Sequence, residues 1–292
     1  MITGMDHLVM NVRNFDACRE TYHGKLGLQE IAYGRAWDGN QVCVLSVGAS
    51  ALVINEDPKA SPALDPDSGQ PIPSNHDNTC WIMHFAFPVI DSWSTYHELA
   101  RRGLEWSVAP SDQPAGLHHI RRRLMEFEDP ELFTIQLAER IDSAGRPMPV
   151  ANAAVDPTHQ PWPGCDRIDH IAFSTPDMEA KRHFYADILG LAGTPPQPTT
   201  LGEQSDLQAG ETIVELIWRP AVSPPLHAGT VTLVAFRVND IGEAYETLRK
   251  RGANVSPPVQ DGPLPEIQWQ IMTLIDPDGL PVQLVEPAPS LG

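Results

Sequence analysis

Apolar and polar positions alternate through Met5-Asp6-His7-Leu8-Val9-Met10-Asn11-Val12, which puts Leu8, Met10 and Val12 on one side. A period of two over that length predicts a half-buried strand. The pattern returns at Ile168-Asp169-His170-Ile171-Ala172-Phe173. Each copy leads into a helical stretch ending in Leu-Gly-Leu, at 26–28 and 189–191, with 19 positions separating His7 from Leu26 and His170 from Leu189. A second motif lies between. His84-Phe85-Ala86-Phe87 matches Leu233-Val234-Ala235-Phe236, and 19 positions later stand Gly103 and Gly252, each closing a basic helix end. Both copies then reach an Asp-Pro turn, Asp129-Pro130 and Asp276-Pro277-Asp278-Gly279, followed by the alternating strands Thr134-Ile135-Gln136-Leu137 and Val282-Gln283-Leu284-Val285. The chain is therefore a repeat of order A-B-A′-B′, each unit a strand, a helix and further strands. Pro176-Asp177 opens one helix, and Gly103 and Gly252 stop two others.

Pro-rich stretches separate the units. Residues 57–79 hold Pro58, Pro62, Pro66, Pro71 and Pro73; residues 141–165 hold Pro147, Pro149, Pro157, Pro161 and Pro163; the third connection, 220–229, is shorter. Such stretches exclude regular structure, and the second is the natural boundary between halves.

With 292 residues the chain is long enough to bury its own core. No run approaches the roughly 18 apolar residues that cross a bilayer, and the N-terminal residues have neither the basic region nor the apolar core of a secretory signal. A cytoplasmic protein is expected. Cys18, Cys43, Cys80 and Cys165 form no CxxC pair and read as reduced thiols. The net charge of −18 argues against nucleic acid and anionic membranes as partners. The one basic run, Arg121-Arg122-Arg123 after His118-His119, suits a small anion or, more plainly, a solvated strand end. A small-molecule substrate and a monomer or homodimer are expected.

Three motifs resemble the vicinal-oxygen-chelate superfamily of glyoxalase I, bleomycin-resistance proteins and extradiol dioxygenases. They are the opening strand His170-Ile171-Ala172-Phe173, the helix end Phe184-Tyr185 to Leu189-Gly190-Leu191, and the turn and closing strand from Asp276-Pro277-Asp278-Gly279 to Leu284. The resemblance implies an α+β fold of four βαβββ modules paired into two half-barrel domains. These would be 1–140 (modules 5–56 and 80–140) and 166–288 (modules 166–219 and 230–288), joined by the linker 141–165.

Members of that superfamily that use a metal take one ligand from the first and one from the last strand of each paired module. The first-strand positions here hold His7, His84, His170 and Leu233; the last-strand positions hold Val53, Gln136, Glu215 and Gln283. Pairing in chain order leaves both cups incomplete. Pairing first with fourth and second with third leaves His7, Val53, Leu233 and Gln283 in one cup, which cannot grip a metal. The other cup then gathers His84, Gln136, His170 and Glu215, a set resembling that of glyoxalase I and related epimerases. His7 is the alternative ligand. One divalent ion (zinc, nickel, cobalt, manganese or iron) is expected, or none if the chain follows the binding branch. Glu215, in the apolar run Ile213–Ile217, would be costly to bury unpaired, so a metal or an arginine must neutralise it unless it faces solvent.

The resemblance thus implies a metal-dependent lyase or isomerase of the glyoxalase I or epimerase type. It would act on a small oxygenated substrate through an enediolate-like intermediate, with Glu215 as general base. An extradiol-type dioxygenase is the alternative, with His118 as the acid-base group. Gly116-Leu117-His118, Met125, Asp129-Pro130 and Gln136 follow that signature's spacing, but Glu126, Leu132 and Gln136 depart from it. A metal-free small-molecule binding or resistance protein is the third possibility, suggested by Leu233 and the two glutamines.

Overall fold

The computed structural model describes residues 1–59, 82–113, 121–148, 161–162, 164–199, 202–219 and 231–287. The first module contains β1 (Ile2–Val12), α1 (Phe15–Arg19, continued by a π-helical segment Glu20–Lys25), β2 (Gln29–Arg35), β3 (Gln41–Val47) and β4 (Ser50–Glu56). The second contains β5 (Ile82–Val89), α2 (Ser92–Arg101), β6 (Val108–Asp112), β7 (Arg121–Glu128) and β8 (Thr134–Ile141). The third contains β9 (His170–Thr175), α3 (Met178–Arg182, continued by a π-helical segment His183–Ile188), β10 (Ala192–Gly193), β11 (Gln197–Thr199), β12 (Gly202–Ala209) and β13 (Thr212–Trp218). The fourth contains β14 (Val231–Val238), α4 (Ile241–Lys250), β15 (Val259–Leu264), β16 (Ile267–Ile275) and β17 (Pro281–Glu286).

Local chemistry explains these limits. Asp91, Asp177 and Asp240 cap α2, α3 and α4, each accepting from a backbone N–H three residues on, at 3.0, 2.9 and 2.8 Å. The four helical segments stop at Gly27, Gly103, Gly190 and Gly252, whose φ values of 81° to 85° lie where a side chain is penalised. The first and third helices widen into π-helical turns before that stop. Leu26 N–H donates to Thr21 and Leu189 N–H to Phe184, both across five residues at 2.9 Å.

Inside every module the first strand runs parallel to the last: β1 with β4, β5 with β8, β9 with β13, and β14 with β17. The modules then join antiparallel through their first strands. β1 pairs with β14 (Met5 opposite Phe236, Leu8 opposite Val234), and β5 pairs with β9 (Phe85 opposite Ile171, Ala86 opposite His170). One sheet thus has the order β15-β16-β17-β14-β1-β4-β3-β2, and the other β10-β12-β13-β9-β5-β8-β7-β6, with β11 on β12. The first module shares a sheet with the fourth, and the second with the third. Each sheet thus joins modules that lie on opposite sides of residues 141–165 in the sequence.

The chain-order halves are tied through their helices instead. Tyr22 OH donates to Asp129 Oδ2 at 2.8 Å, and Asn14 N–H to Glu131 Oε1 at 2.6 Å. In the second half Tyr185 OH donates to Asp276 Oδ2 at 3.1 Å, and the fully buried Lys181 reaches Asp276 and Asp278 at 2.5 and 2.8 Å. Around these ties one apolar core takes Phe15, Phe85, Phe133, Phe173, Phe236 and Leu248 from all four modules. Leu8, Met10 and Val12 belong to it, as their alternation predicts, which turns His7, Val9 and Asn11 to the opposite face.

In the Asp-Pro turns, Asp129 Oδ1 accepts from Glu131 and Phe133 N–H, as Asp276 Oδ1 does from Asp278 and Leu280. Leu132 adopts φ 64° where the fourth module has Gly279 at 96°. Burial pushes the Asp129 carboxyl up to about 7, against the hydrogen bonds from Phe133, Tyr22 and Glu131 that favour its charge. The folded state therefore holds that proton more tightly than the unfolded chain. Its stabilisation is complete below about pH 4 and is lost as the pH rises to 7. The unfolding free energy of wild type minus that of Asp129→Asn should fall across this window in urea titrations; a flat difference would show that Asp129 is ionised throughout.

Candidate metal centre

The concave face of the second sheet is the polar one. Glu215 sits between Val214 and Leu216, which both point into the core, so the alternation of β13 turns its carboxylate into the cup. Gln136 lies between the core residues Ile135 and Leu137 on β8, His84 precedes Phe85 on β5, and His170 precedes Ile171 on β9. All four side chains are buried. His84, His170 and Glu215 each offer a ligand atom, and these atoms lie within 4.8 Å of one another. Gln136 Oε1 stands 3.0 Å from His170 Nε2. The structure thus brings together the four residues of the second-with-third pairing.

His170 Nδ1 is 3.0 Å from Asp169 Oδ2. A carboxylate only accepts, so Nδ1 carries a ring proton; Nε2 presents a lone pair when the ring is neutral and an N–H when it is protonated. The amide nitrogen of Gln136 donates to Glu126 Oε1 at 2.8 Å, which turns Oε1 of Gln136 toward Nε2, 3.0 Å away. That contact is a hydrogen bond with the protonated ring; with the neutral ring two acceptors meet, and a cation between them relieves the repulsion. His84 Nδ1 is buried without a hydrogen-bond partner among the described residues, and the rings of His84 and His170 meet edge to face at 5.3 Å. Imidazole nitrogens, an amide oxygen and a carboxylate converging on one point are the mixed set that borderline divalent metals take. Asp169 behind His170 orients the ring as an outer partner of a ligating histidine does.

One neighbour was missed at the sequence level. The Arg121–Arg123 run is not simply a solvated strand end: Arg122 is only 13% exposed, and its Nη1 donates to Glu215 Oε1 at 2.6 Å. Arg123 is held by Asp112 and Glu139, and Arg121 by the Ser143 carbonyl. The neutralising arginine that a buried Glu215 requires is therefore supplied from β7. Glu126 and Asp169 were also overlooked. The repeated Asp-His pair, Asp6-His7 and Asp169-His170, was the available signal for Asp169; nothing local marks Glu126, which meets Gln136 across the β7–β8 ladder.

The charges act strongly on one another. For Glu215, burial favours the neutral acid, yet His170, Arg122 and His84 together bring its pKa down to about 2. Burial first, then the neighbouring His170 and Arg122, lowers His84 to about 3, so it is neutral near pH 7. Asp169 is held well below the carboxylate range despite burial by His170, Arg122 and Arg140. Burial raises Glu126.

The other sheet treats the same positions differently. His7 stacks on Trp269, with ring centroids 4.6 Å apart, and its Nδ1 meets Asp6 at 2.9 Å. Val53 is packed with Val42, Val44, Leu264 and Ile267, and Leu233 packs against Ala235, Ile271 and Val285. That cup is filled by apolar side chains. His118 lies outside the described residues.

The model of the Glyoxalase/Bleomycin resistance protein/Dioxygenase superfamily matches residues 4–137 and 167–284. The chain belongs to this superfamily. No curated protein sequence matches it. Among solved structures, glyoxalase I from Zea mays is similar at 19% identity and a TM-score of 0.65, covering 97% of this chain and 92% of its own. A Bacillus subtilis strain 168 protein, provisionally assigned as a dioxygenase, is similar at 13% identity and a TM-score of 0.69, covering 99% and 86%. At these identities the likeness establishes the shared fold of this superfamily member. No helix among the described residues is long and apolar enough to cross a membrane.

Removing the Glu215 charge strands Arg122. In chelator-treated protein Glu215→Gln should lower the unfolding free energy by about 3 kcal/mol, as for a buried pair broken on one side. Arg122→Met combined with Glu215→Gln should cost less than the two single changes summed. Additive losses in urea unfolding would show that the pair is not coupled.

Proposed function

We propose that the cup of the second sheet binds one divalent metal through His84, Gln136, His170 and Glu215. On this reading the chain is a lyase or isomerase of the glyoxalase I or epimerase type, acting on a small oxygenated substrate through an enediolate-like intermediate. The observation that carries it is the convergence of His84, His170 and Glu215, whose ligand atoms lie within 4.8 Å of one another in a buried cup, with Gln136 Oε1 3.0 Å from His170 Nε2. A bound ion supplies Lewis acidity toward a carbonyl or a pair of neighbouring oxygens. Around it, Asp169 fixes the His170 tautomer, Glu126 fixes the Gln136 amide, and the apolar patch Met83, Ala172 and Ile217 limits water at the cup floor. Glu215 is the proton acceptor of this reading. Paired with Arg122, its carboxylate is too weak a base; it takes a proton only after parting from the guanidinium.

One observation favours a second reading. His84, His170 and Glu215 are two imidazoles and one carboxylate, the ligand set of non-haem iron oxygenases. An extradiol-type dioxygenase would use the same cup with iron and, on the sequence expectation, His118 as its acid-base group.

Metal analysis of the purified chain should find near one divalent ion per molecule. Glu215→Ala should lose it, and His7→Ala, in the apolar cup, should retain it. Iron with oxygen-dependent catechol cleavage selects the dioxygenase. A protein that takes up no metal from solution, with folding unharmed, removes both enzyme readings in favour of a metal-free binder in which Arg122 alone neutralises Glu215.

A further inference from the structure

Arg122 loses part of its counter-charge once Glu215 shares its carboxylate with a cation. Its Nη1 rests on Glu215 Oε1 at 2.6 Å, and its Nε is buried with no hydrogen-bond partner among the described residues. Asp169 Oδ2 lies 3.7 Å from that Nε but already faces His170 Nδ1, while Oδ1 accepts from both Nε and Nη2 of Arg140 at 3.1 and 2.8 Å. A buried guanidinium needs an anion, and none of the described acids beside it is uncommitted. Its planar fork matches a carboxylate through two parallel hydrogen bonds.

Resting on the metal reading above, we infer that Arg122 binds a carboxylate of the substrate, next to the oxygens that approach the metal. Glu215 joins the two groups, because it is both a ligand candidate and the present partner of Arg122. An anion that reaches Arg122 therefore lies beside the metal ligands. The carboxylate must therefore neighbour the reacting carbon, which makes the substrate class a small 2-oxo or 2-hydroxy carboxylic acid. The overall charge of −18 repels such an anion at a distance, so the guanidinium inside the cup provides the local counter-charge.

The test uses the full chain loaded with Mn²⁺, with pyruvate and its neutral analogue hydroxyacetone as probes in calorimetric titrations. Wild type should bind pyruvate at least ~10-fold more tightly than hydroxyacetone, the scale of a charge-assisted bidentate contact. Arg122→Met should erase that preference and bind Mn²⁺ more tightly than wild type, because the guanidinium no longer competes with the cation for the Glu215 charge. Arg122→Gln, which keeps a donor for Glu215, carries the same test should the methionine variant fail to fold. A preference that survives in these variants, or one absent from wild type, overturns the assignment of Arg122 and leaves the metal reading standing. Absence of Mn²⁺ binding in wild type and variants alike overturns the metal reading and this inference with it.

Discussion

The antiparallel seam between β5 and β9 is the constraint on which the site depends. Ala86 opposite His170, and His84 opposite Ala172, bring the opening strands of the second and third modules side by side. The parallel pairs β5–β8 and β9–β13 then add Gln136 and Glu215 to the same concave face. Because side chains alternate along a strand, slipping this seam by one residue would send the histidines into the core and the phenylalanines into the cup. Phe85, Phe87, Ile171 and Phe173 oppose such a slip, since all four are fully buried in the common core. The core thus sets the register, and the register sets the donor geometry.

Much of this was legible beforehand, for identifiable reasons. Period-two alternation and equal spacings reveal the four modules, because a strand with one face in the core must repeat its apolar positions. The four converging ligand candidates were named by carrying the ligand positions that the family resemblance implies onto the equivalent strands of each module. The choice between the two module pairings was not legible. Both satisfy the same local patterns, and the linkers are long enough for either. What decides is which opening strands share a ladder, a contact across 86 residues in one sheet and 231 in the other, as for Phe85 against Ile171 and Met5 against Phe236.

Arg122 shows a different kind of gap. In sequence it belongs to a triple arginine beside two histidines, a pattern typical of exposed strand ends. Its burial follows from β7 lying beside β8, which turns Arg122, Leu124 and Glu126 toward Arg140, Ala138 and Gln136. The demand for it was nevertheless written into Glu215, a carboxylate on an otherwise apolar strand. Burial leaves such a group few options: a proton, a metal or an arginine. The requirement was visible locally, and its donor, 93 residues away, was not.

The two sheets are one architecture used in two ways, and electrostatics explains why only one keeps its polar cup. Around His84 and His170, the acids Asp169, Glu126 and Glu215 are balanced by Arg122 and Arg140, so each buried charge has a partner. Such a network is stable only when complete, since one missing member leaves an uncompensated charge in a poorly solvated space. In the other cup, Val53 and Leu233 stand where ligands would be, and Leu264 and Ile267 close over Val42 and Val44. Apolar filling has no such all-or-none condition, because each buried methyl contributes independently. His7 keeps its Asp6 and its stacking on Trp269, and Arg237 keeps Asp6 at 3.1 Å, as remnants of the same Asp-His arrangement. That cup keeps His7 and Gln283 beside Val53 and Leu233, and because neither polar residue is a carboxylate, no buried acid at those four positions calls for a metal or an arginine.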